Sequence, residues 1–400
     1  MTRTTGPYLT DRGLTDRGLT DRGLTELAIV GGGLSGLLTA WRALDLNPDL
    51  HVTVYEARPD VGGDHTWSYN DSDVPPGMRD WFAPFARHSW DRYDVKFPRR
   101  ERTLDIGYRT GDSATLLVAI QPLRDAGRLD VRAGHSVEPS EVEADAVLDA
   151  RGWEPRDDEW MGYQKFVGHH IRTRAPHGVA HPVIMDATVE QVDGYRFMYL
   201  LPYSDTELLV EDTYFSDSPH LSDNEVGARI ADYVAEHGWS DHVVVRTERG
   251  ILPMLTATTR DEASASIGLR GGFAVAATGF TVPHALEVAD LVATTIRDSG
   301  IHAVPSAVAA LRRMHTRRER YARLLNRMFF GAASPEKRYV ILQRFYGLRE
   351  GLVRRFYRNA LTPLDKLRIL VGKPPVPVTK ALYNFREKAF IERQRKRTES

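Results

Sequence analysis

The sequence predicts an α/β fold in which a Rossmann-type domain is interrupted by an inserted antiparallel β-sheet domain and followed by a helical C-terminal region. Three observations lead to this prediction. Residues 27–30 form an apolar strand pattern that ends on glycines and runs directly into an apolar helix pattern. Residues 164–254 are rich in alternating β-type segments, and residues 306–400 have mostly helical patterns.

The chain begins with a short repeat. Residues 9–25 repeat Leu-Thr-Asp-Arg-Gly three times and then add Leu-Thr. A glycine in every fifth position and one apolar residue per repeat cannot build a core. We therefore expect residues 1–25 to be a disordered leader with no role in the chemistry.

The glycine motif after the first strand matches the dinucleotide-binding pattern G-x-G-x-x-G. Gly31 permits the tight turn, Gly33 allows a pyrophosphate to approach the backbone, and Gly36 lets the helix pack close to the strand. A second strand pattern at residues 51–55 ends at Glu56, where an acid is expected to bind the adenosine ribose hydroxyls. An ordinary βαβ unit without a ligand is the alternative.

An extension of this motif distinguishes between classes of dinucleotide. Arg58 and the pair Gly62-Gly63 follow Glu56 closely. An arginine followed by a double glycine resembles the flavin adenine dinucleotide (FAD) subgroup of Rossmann proteins rather than the nicotinamide dehydrogenases. Arg58 and Gly63 are therefore candidate FAD-binding residues.

The next predicted elements are a helix at residues 113–123 and short strands at 129–132 and 146–148. The second strand ends in Asp149-Ala150-Arg151-Gly152. In FAD Rossmann folds such a strand returns to the sheet near the crevice for adenosine and pyrophosphate, so Asp149 and Gly152 are candidate cofactor-binding residues. A plain acid at a strand-to-turn junction explains the same residues equally well.

Aromatic residues are dense between the βαβ unit and this helix, and they suit either an apolar channel or a core: Trp81, Phe82, Phe85, Trp90, Tyr93 and Phe97. Metal-ligand spacing is not found around His65 or His169-His170, and the chain contains no cysteine. No metal site is therefore predicted.

The β-rich region contains a predicted hairpin. Strand patterns at residues 195–201 and 207–215 flank a short polar loop, and further strands are expected at 166–173 and 242–247. Glu211 and Asp212 are adjacent on the second hairpin strand, so their side chains point to opposite faces. Only one of them can face a bound substrate. Surface exposure of both is the alternative, because Asp and Glu are rarely buried.

Residues 271–283 return to a strand–glycine–helix pattern, and residues 285–296 predict an amphipathic helix. We expect this segment to place a helix N-terminus near the flavin, which makes Thr278 and Gly279 candidate cofactor contacts. The FAD-binding domain is then discontinuous. It comprises residues 26–160 and 266–305, and a β-rich substrate domain at residues 161–265 is inserted between these two parts. A separate helical basic region follows at residues 306–400.

The net charge of −1 hides a strong asymmetry. Residues 306–400 contain 24 Lys and Arg against 7 Asp and Glu, a net charge of +17. A basic tail suits an anionic membrane surface or a solvated helical face packed against the acidic body. Nucleic acid is not the predicted partner. The N-terminus lacks a secretory pattern, so we expect a cytoplasmic protein with peripheral membrane association.

Six stretches give the sequence a specific resemblance: GGDHTWS at residues 62–68, MDATV at 185–189, DGYRF at 193–197, VEDTYFSD at 210–217, NRMFF at 326–330 and GKPPVP at 372–377. On these motifs the chain resembles the bacterial lycopene beta-cyclase family from about residue 26 to about residue 383. Two positions depart from the family pattern. Asp64 replaces the usual asparagine, and residues 277–281 read Ala-Thr-Gly-Phe-Thr instead of Thr-Thr-Gly-Tyr-Ser.

The resemblance implies an enzyme that closes the acyclic ends of lycopene to β-rings with reduced FAD and no net redox change. It implies NAD(P)H as the reductant, Glu211 as the catalytic acid, and Asp212 as an orienting or hydrogen-bonding partner. A FAD-dependent monooxygenase or isoprenoid reductase acting on an apolar terpenoid is the main alternative. The non-enzymatic alternative is a membrane-bound scaffold protein that binds flavin without turnover.

Overall fold

The computed structural model describes residues 25–63, 65–154, 161–258, 265–371 and 377–398. The repeat leader lies outside this range except for Thr25, which begins the first strand. Asp64 and most of the GKPPVP stretch also lie outside the described residues.

Strands predominate among the described residues up to 255, with four α-helices between them, and helices dominate the rest. The strands are β1 (Thr25–Val30), β2 (Leu50–Glu56), β3 (Thr66–Asn70), β4 (His88–Trp90), β5 (Tyr93–Phe97), β6 (Arg100–Leu104), β7 (Tyr108–Asp112), β8 (Leu129–Ala133), β9 (Ala146–Asp149), β10 (Met161–Thr173), β11 (Val183–Asp186), β12 (Tyr195–Pro202), β13 (Glu207–Ser216) and β14 (His242–Leu255). The helices are α1 (Leu34–Leu46), α2 (Arg79–Phe82), α3 (Ser113–Asp125), α4 (Asp223–Glu236), α5 (Val282–Ser299), α6 (Val304–Arg318), α7 (Arg320–Ala332), α8 (Tyr339–Phe345), α9 (Glu350–Tyr357), α10 (Pro363–Leu370), α11 (Val378–Tyr383) and α12 (Glu387–Thr398).

The described strands form three sheets. A parallel sheet has the order β8–β2–β1–β9, and its buried strands pack against α1 and α5. A seven-stranded sheet, called the large sheet below, has the order β14–β10–β13–β12–β11–β5–β6 and is antiparallel except between β11 and β5. A small antiparallel sheet has the order β3–β7–β4. This architecture confirms the predicted fold class: a parallel-sheet domain, an antiparallel sheet and a helical C-terminal region.

The two faces of the large sheet have different partners. Side chains alternate between the faces along each strand. One face packs against α4, where Val210 and Met198 meet Val226 and Ile230 in an apolar cluster. The other face, called the inner face below, includes Phe197 and Phe215, which pack with Phe329 and Phe345 of the C-terminal helices. The inner face is therefore the one that bounds the candidate site.

Two local features differ from the sequence-based expectation. Strands β5 and β6 belong to the large sheet, although residues 93–104 fall within the predicted first FAD-binding segment. The strand predicted within residues 271–277 does not form: this stretch is a series of turns, and Gly268, Gly272 and Gly279 have positive φ angles of 59°, 74° and 71°. Its backbone bonds are local, such as Val275 N–H to the Phe280 carbonyl at 2.9 Å. The domain boundaries themselves stay a prediction.

The dense aromatic stretch proves to be core around the small sheet. Phe82 and Phe85 are fully buried, and Phe82 stacks on Phe85 with ring centroids 4.9 Å apart. Part of the basic C-terminal charge is also internal. Arg338 is buried and forms an ion pair with Asp217 at 2.8 Å, and Arg327 donates to backbone carbonyls of Thr256 and Asn384. A search of the described helices finds none that combines the length and apolarity needed to span a bilayer.

Candidate active site

A single continuous cavity of about 1200 Å³ runs from the glycine turn after β1 to the C-terminal helices. Its first end is formed by the glycine motif and by Glu56, Arg58 and Arg151. Its middle is formed by the inner face of the large sheet, and its far end by apolar side chains of the C-terminal helices. The cavity therefore joins a polar, glycine-rich end to an apolar end, with the large sheet between them.

The three motif glycines have different structural reasons to be glycine. Gly31 has a φ angle of 117°, and a Cβ there would lie 2.5 Å from the Ala150 carbonyl group. A Cβ on Gly36 would lie 2.0 Å from the Gly31 carbonyl oxygen. At Gly33, in contrast, no described atom lies within 4 Å of the Cβ position, which opens into the cavity. Gly31 and Gly36 are thus required by the fold, and Gly33 leaves room for a ligand.

Glu56 and Arg58 lie beside this turn as predicted from their spacing. The Glu56 carboxylate accepts hydrogen bonds from the Gly32 N–H at 2.8 Å and from the Arg58 N–H at 2.9 Å. The Arg58 side chain is 3.9 Å from the same carboxylate and also approaches Gly63, whose φ angle is 68°. A side chain at Gly63 would meet the Arg58 guanidinium, with a Cβ only 2.4 Å from Nη2.

Asp149 and Gly152 have different positions relative to the cavity. Gly152 lines it, together with Arg151 and Arg270. Asp149 is buried outside the lining, where its carboxylate accepts hydrogen bonds from the Arg151 side chain at 2.9 Å. Asp149 thus does not line the cavity, and its contact with a cofactor stays a prediction. Its carboxylate orients Arg151 instead, and Arg270, which the sequence analysis missed, adds a second cation at this end.

Thr278 and Gly279 lie in the wall between the glycine end and the large sheet, next to the N-terminus of α5. A Cβ at Gly279 would lie 2.7 Å from Gln164 Oε1. This oxygen is itself buried and has no hydrogen-bond partner among the described residues. The same holds for Ser35 Oγ and Trp153 Nε1, and all three residues line the cavity. Because buried polar atoms normally have partners, these three indicate a polar ligand.

Glu211 and Asp212 point to opposite faces of the large sheet, as their adjacency on β13 predicts. Glu211 lines the cavity. Asp212 is fully buried on the face covered by α4, where Arg196 Nε donates to it at 2.9 Å and the Tyr214 hydroxyl at 2.7 Å. Burial raises the pKa of Asp212, and the hydrogen bonds from Arg196 and Tyr214 oppose that shift. Asp212 therefore does not line the cavity, and its hydrogen bond from Arg196 links β13 to β12. Its role as a partner of Glu211 stays a prediction.

The carboxyl group of Glu211 is held in its neutral form. Its residue is only 8% exposed. Burial raises the pKa of Glu211 to about 8, and the nearby charge of Glu248 adds to this rise. The hydroxyl of Thr213, which donates to Glu211 Oε1 at 2.5 Å, opposes it. At neutral pH this site thus contains a protonated carboxylic acid that faces an apolar space.

Glu211 belongs to a row of residues that crosses four strands of the inner face. In the strand register, Tyr199 on β12 pairs with Glu211, Glu211 pairs with Gly168 on β10, and Gly168 pairs with Glu248 on β14. Glu248 is buried and lines the cavity. The sequence analysis missed Gly168 and Glu248, because their proximity to Glu211 depends on strand pairings that no local pattern specifies.

Aromatic side chains surround this row. Phe197 and Tyr199 line the cavity, and the Tyr199 hydroxyl makes hydrogen bonds with Ser68 Oγ at 2.6 Å and the Tyr108 hydroxyl at 2.9 Å. Tyr195 and Tyr214, the other tyrosines near this row on β12 and β13, do not line the cavity. Tyr195 is buried in the cluster behind the lining, and Tyr214 shares the opposite face with Asp212.

A second titratable group, which sequence spacing did not reveal, lies behind the turns of residues 272–281. Ligand-type atoms of His284, His315 and Glu319 all lie within 4.8 Å of one another. Glu319 accepts from the Ala276 N–H at 2.8 Å, and burial lowers the pKa of His315 to about 3. Because Glu319 also accepts from Asn359, its carboxylate already has protein partners, and the group fastens these turns to α6 and α7.

Comparison with known proteins identifies close relatives. The family profile described as "Lycopene cyclase protein" matches residues 26–383. A lycopene beta-cyclase of Paracoccus sp. (strain N81106 / MBIC 01143) is 40% identical over 384 residues, covering 92% of this chain and 98% of the relative. A lycopene beta-cyclase of Pantoea ananas is 38% identical over 373 residues, covering 89% of this chain and 97% of the relative.

Solved structures share the fold at much lower identity. A geranylgeranyl bacteriochlorophyll reductase-like protein of Thermoplasma acidophilum has a TM-score of 0.59 at 13% identity, covering 91% of this chain and 100% of that chain. A tryptophan 6-halogenase of Streptomyces toxytricini has a TM-score of 0.57 at 13% identity, covering 93% of this chain and 96% of that chain. The flavin-dependent brominase Bmp2 has a TM-score of 0.54 at 12% identity, covering 84% of this chain and 94% of that chain. At these identities the likeness concerns the fold alone.

Proposed function

The chain belongs to the lycopene cyclase family, and from that premise we propose that it is a lycopene beta-cyclase, which closes the acyclic ψ-ends of lycopene to β-ionone rings without net redox change. The names of its relatives support the substrate. The observation that carries the proposed chemistry is the neutral carboxyl of Glu211 on the wall of an apolar cavity. Expression in a lycopene-accumulating host, followed by pigment analysis, tests the proposal: cyclic carotenoids are expected, and unchanged lycopene contradicts it.

We propose FAD as the cofactor, because the residues at the glycine end of the cavity fit a dinucleotide. Gly33 leaves space at the N-terminus of α1, where no side chain caps the helix and free N–H groups favour a pyrophosphate. Arg58, Arg151 and Arg270 supply positive charge around it. The three partnerless polar atoms of Ser35, Trp153 and Gln164 would find acceptors and donors on such a ligand. When bound in its reduced form, FAD would supply negative charge that stabilises a carbocation.

The residues of this chain would divide the chemistry as follows. Ring closure begins when Glu211 transfers its proton to an alkene carbon near the end of the polyene. A tertiary carbocation results, and the chain folds onto it to form the new ring bond. Phe197 and Tyr199 can stabilise the cation through their ring faces, each by about 0.5–2 kcal/mol. A base then removes a proton from the ring, so no electrons are gained or lost overall.

The redox requirement gives a direct test. We expect no turnover with oxidised FAD, and full turnover after reduction with NAD(P)H or dithionite, because the flavin is needed as a fixed charge and is not consumed. Product formed per NAD(P)H oxidised should greatly exceed one under anaerobic conditions. A monooxygenase or an isoprenoid reductase would instead consume NAD(P)H in step with product, and the monooxygenase would also need oxygen.

We propose that the protein takes its substrate from a membrane surface. Apolar side chains are exposed on α10 and around α11, and they form what we call the α10–α11 face: Leu364, Leu367, Leu370, Val371, Leu382, Tyr383 and Phe385. Leu370, Val371, Leu382 and Phe385 also line the cavity, so the cavity opens to the surface at this face. Exposed Arg368, Lys380, Arg386 and Lys388 surround it. Apolar residues ringed by cations suit an anionic bilayer.

Liposome binding tests this face. We expect strong co-sedimentation with vesicles that contain anionic phospholipid at low salt, and weaker binding as salt screens the basic residues. Replacing Leu364 and Leu367, which are 77% and 57% exposed, by serine should reduce binding severalfold. Val118→Ser is the matched control, because Val118 is 74% exposed on α3, away from the cavity mouth. Equal binding by the double variant and the control would remove the α10–α11 face as the contact, and no binding at low salt would assign the basic tail to packing only.

A further inference from the structure

We propose that Glu248 is the catalytic base of this site and accepts the proton that ring closure releases. The inference rests on the proposed function and adds to it the second proton-transfer residue that the reaction requires. Glu248 was not a candidate in the sequence, where it lies 37 positions after Glu211 on a different strand. The large sheet brings the two carboxyl groups to the same wall of the cavity.

The geometry places Glu211 and Glu248 on either side of a glycine. Both residues pair with Gly168 in the register, one from each neighbouring strand. Two strand spacings separate their backbones by about 10 Å. A Cβ on Gly168 would lie 3.0 Å from Leu209 Cδ1, 3.1 Å from Glu248 Cγ and 3.5 Å from Glu211 Cβ, so the missing side chain lets the two glutamates pack close together across β10. Because both glutamates line the cavity, a substrate end bound against this wall can contact both.

The partners of Glu248 differ from those of Glu211. Glu248 Oε2 accepts hydrogen bonds from Arg246 at 3.0 Å and from the Thr66 hydroxyl at 2.8 Å, and His170 Nε2 lies 3.4 Å away. Among the described residues, only the Thr213 hydroxyl donates a hydrogen bond to Glu211. Other titratable groups close by include Tyr199 and Tyr203, phenols whose pKa values are raised mainly by burial. The row thus contains Glu211 and, one strand beyond Gly168, a second carboxyl group that is held by an arginine and a hydroxyl.

This difference in partners suits the two proton transfers of the reaction. The O–H bond of Glu211 breaks as a C–H bond forms on the polyene, and the alkene electrons close the ring. A C–H bond on a ring carbon next to the cation then breaks, its electron pair becomes the ring double bond, and the proton goes to the Glu248 carboxylate. One proton has passed from Glu211 to Glu248, and return of a proton to Glu211 restores both groups.

The position of the base decides which ring carbon loses its proton. Removal of one neighbouring proton gives the β-ring, and removal of another gives a ring with a displaced double bond. A fixed carboxylate on one side of the cation therefore sets the product. Arg246 and Thr66 hold the Glu248 carboxylate in place. They would influence which ring forms only by fixing the position of Glu248, so they are positioning residues.

The test compares Glu248→Gln with Glu211→Gln and Glu207→Gln in the full-length protein with reduced FAD and lycopene. We expect Glu248→Gln to lower total turnover on the order of 10²-fold. The rings that still form should include displaced double bonds or hydroxylated end groups from capture of the cation by water. Glu207→Gln, on the exposed end of the same strand as Glu211, should behave as wild type.

The distribution of products separates a base from a structural ion pair. A structural lesion lowers the amount of protein or product without changing the kind of ring, so a pure β-ring product from Glu248→Gln would overturn the proposal. If this variant does not fold, Glu248→Asp keeps the charge but withdraws the carboxylate by one methylene. It should yield a measurable fraction of displaced double bonds, and only β-rings from it would contradict the base.

Failure of the proposed function would look different. Wild-type protein would then form no cyclic product from lycopene, whatever the variants do. An active Glu211→Gln would remove the acid while leaving the assignment of Glu248 to be decided by its own products. Each assignment is therefore tested by a separate observation.

Discussion

Glu211→Gln is expected to lower the rate of cyclisation by a factor on the order of 10³ or more while FAD remains bound. The substitution preserves the size of the side chain and can still accept the Thr213 hydroxyl. It removes only the transferable proton, and positioned acids typically contribute about 10²–10⁴ in rate. Pigment analysis of the reaction with reduced FAD measures the loss, and the flavin absorbance of the purified variant shows that the cofactor site is intact.

The pH dependence of the wild-type enzyme gives an independent check on the same carboxyl. Catalysis needs the protonated form, and burial has raised the pKa of Glu211 to about 8. Activity should therefore hold at neutral pH and fall as the pH rises through about 8. Undiminished cyclisation by Glu211→Gln, or a loss of activity only below pH 6, would remove Glu211 as the acid. Glu207→Gln controls for changes on the exposed end of β13.

Local sequence patterns were sufficient for the glycine end of the cavity and for the opposite orientation of Glu211 and Asp212, whereas the choice of Glu211 as the acid depended on the family resemblance. The turn, the second strand and Glu56 follow each other along the chain, and the strand repeat alone separates the faces of adjacent residues. The row that includes Gly168 and Glu248 could not be predicted in this way. It is created by pairings between β10, β13 and β14, and the register of those pairings depends on the whole sheet.

Two further differences have identifiable physical causes. The turns at residues 268–279 replace a predicted strand because glycines with positive φ angles reverse the backbone, and their hydrogen bonds close locally. Helix α4, within the β-rich region, was not predicted. Ser222 accepts from the Glu225 N–H at its start, and Val226, Ile230 and Tyr233 then recur at helical spacing. That capping pattern was present in the sequence and would have identified the helix.

The glycine turn gives the second large expected effect, because two of its glycines serve different purposes. Gly33→Asp should weaken FAD binding by at least about 100-fold without loss of stability. Asp is among the best residues at a helix N-cap, the position that Gly33 occupies before α1, and its φ and ψ angles of −82° and −170° suit any residue. The carboxylate would then lie in open space at the turn, where a diphosphate is expected to bind.

Gly36→Ala should have the opposite profile. Its methyl group would lie 2.0 Å from the Gly31 carbonyl oxygen, inside the packed turn, so the free energy of unfolding should fall by about 1–3 kcal/mol in the apoprotein. Urea unfolding without cofactor and FAD titration by flavin fluorescence separate the two variants. Gly33→Ser, which caps α1 without a charge, measures how much of the Gly33→Asp effect is repulsion of the diphosphate. If Gly33→Asp binds FAD as tightly as wild type, the dinucleotide does not approach this turn, and the negative charge that the cyclisation requires must come from elsewhere in the cavity.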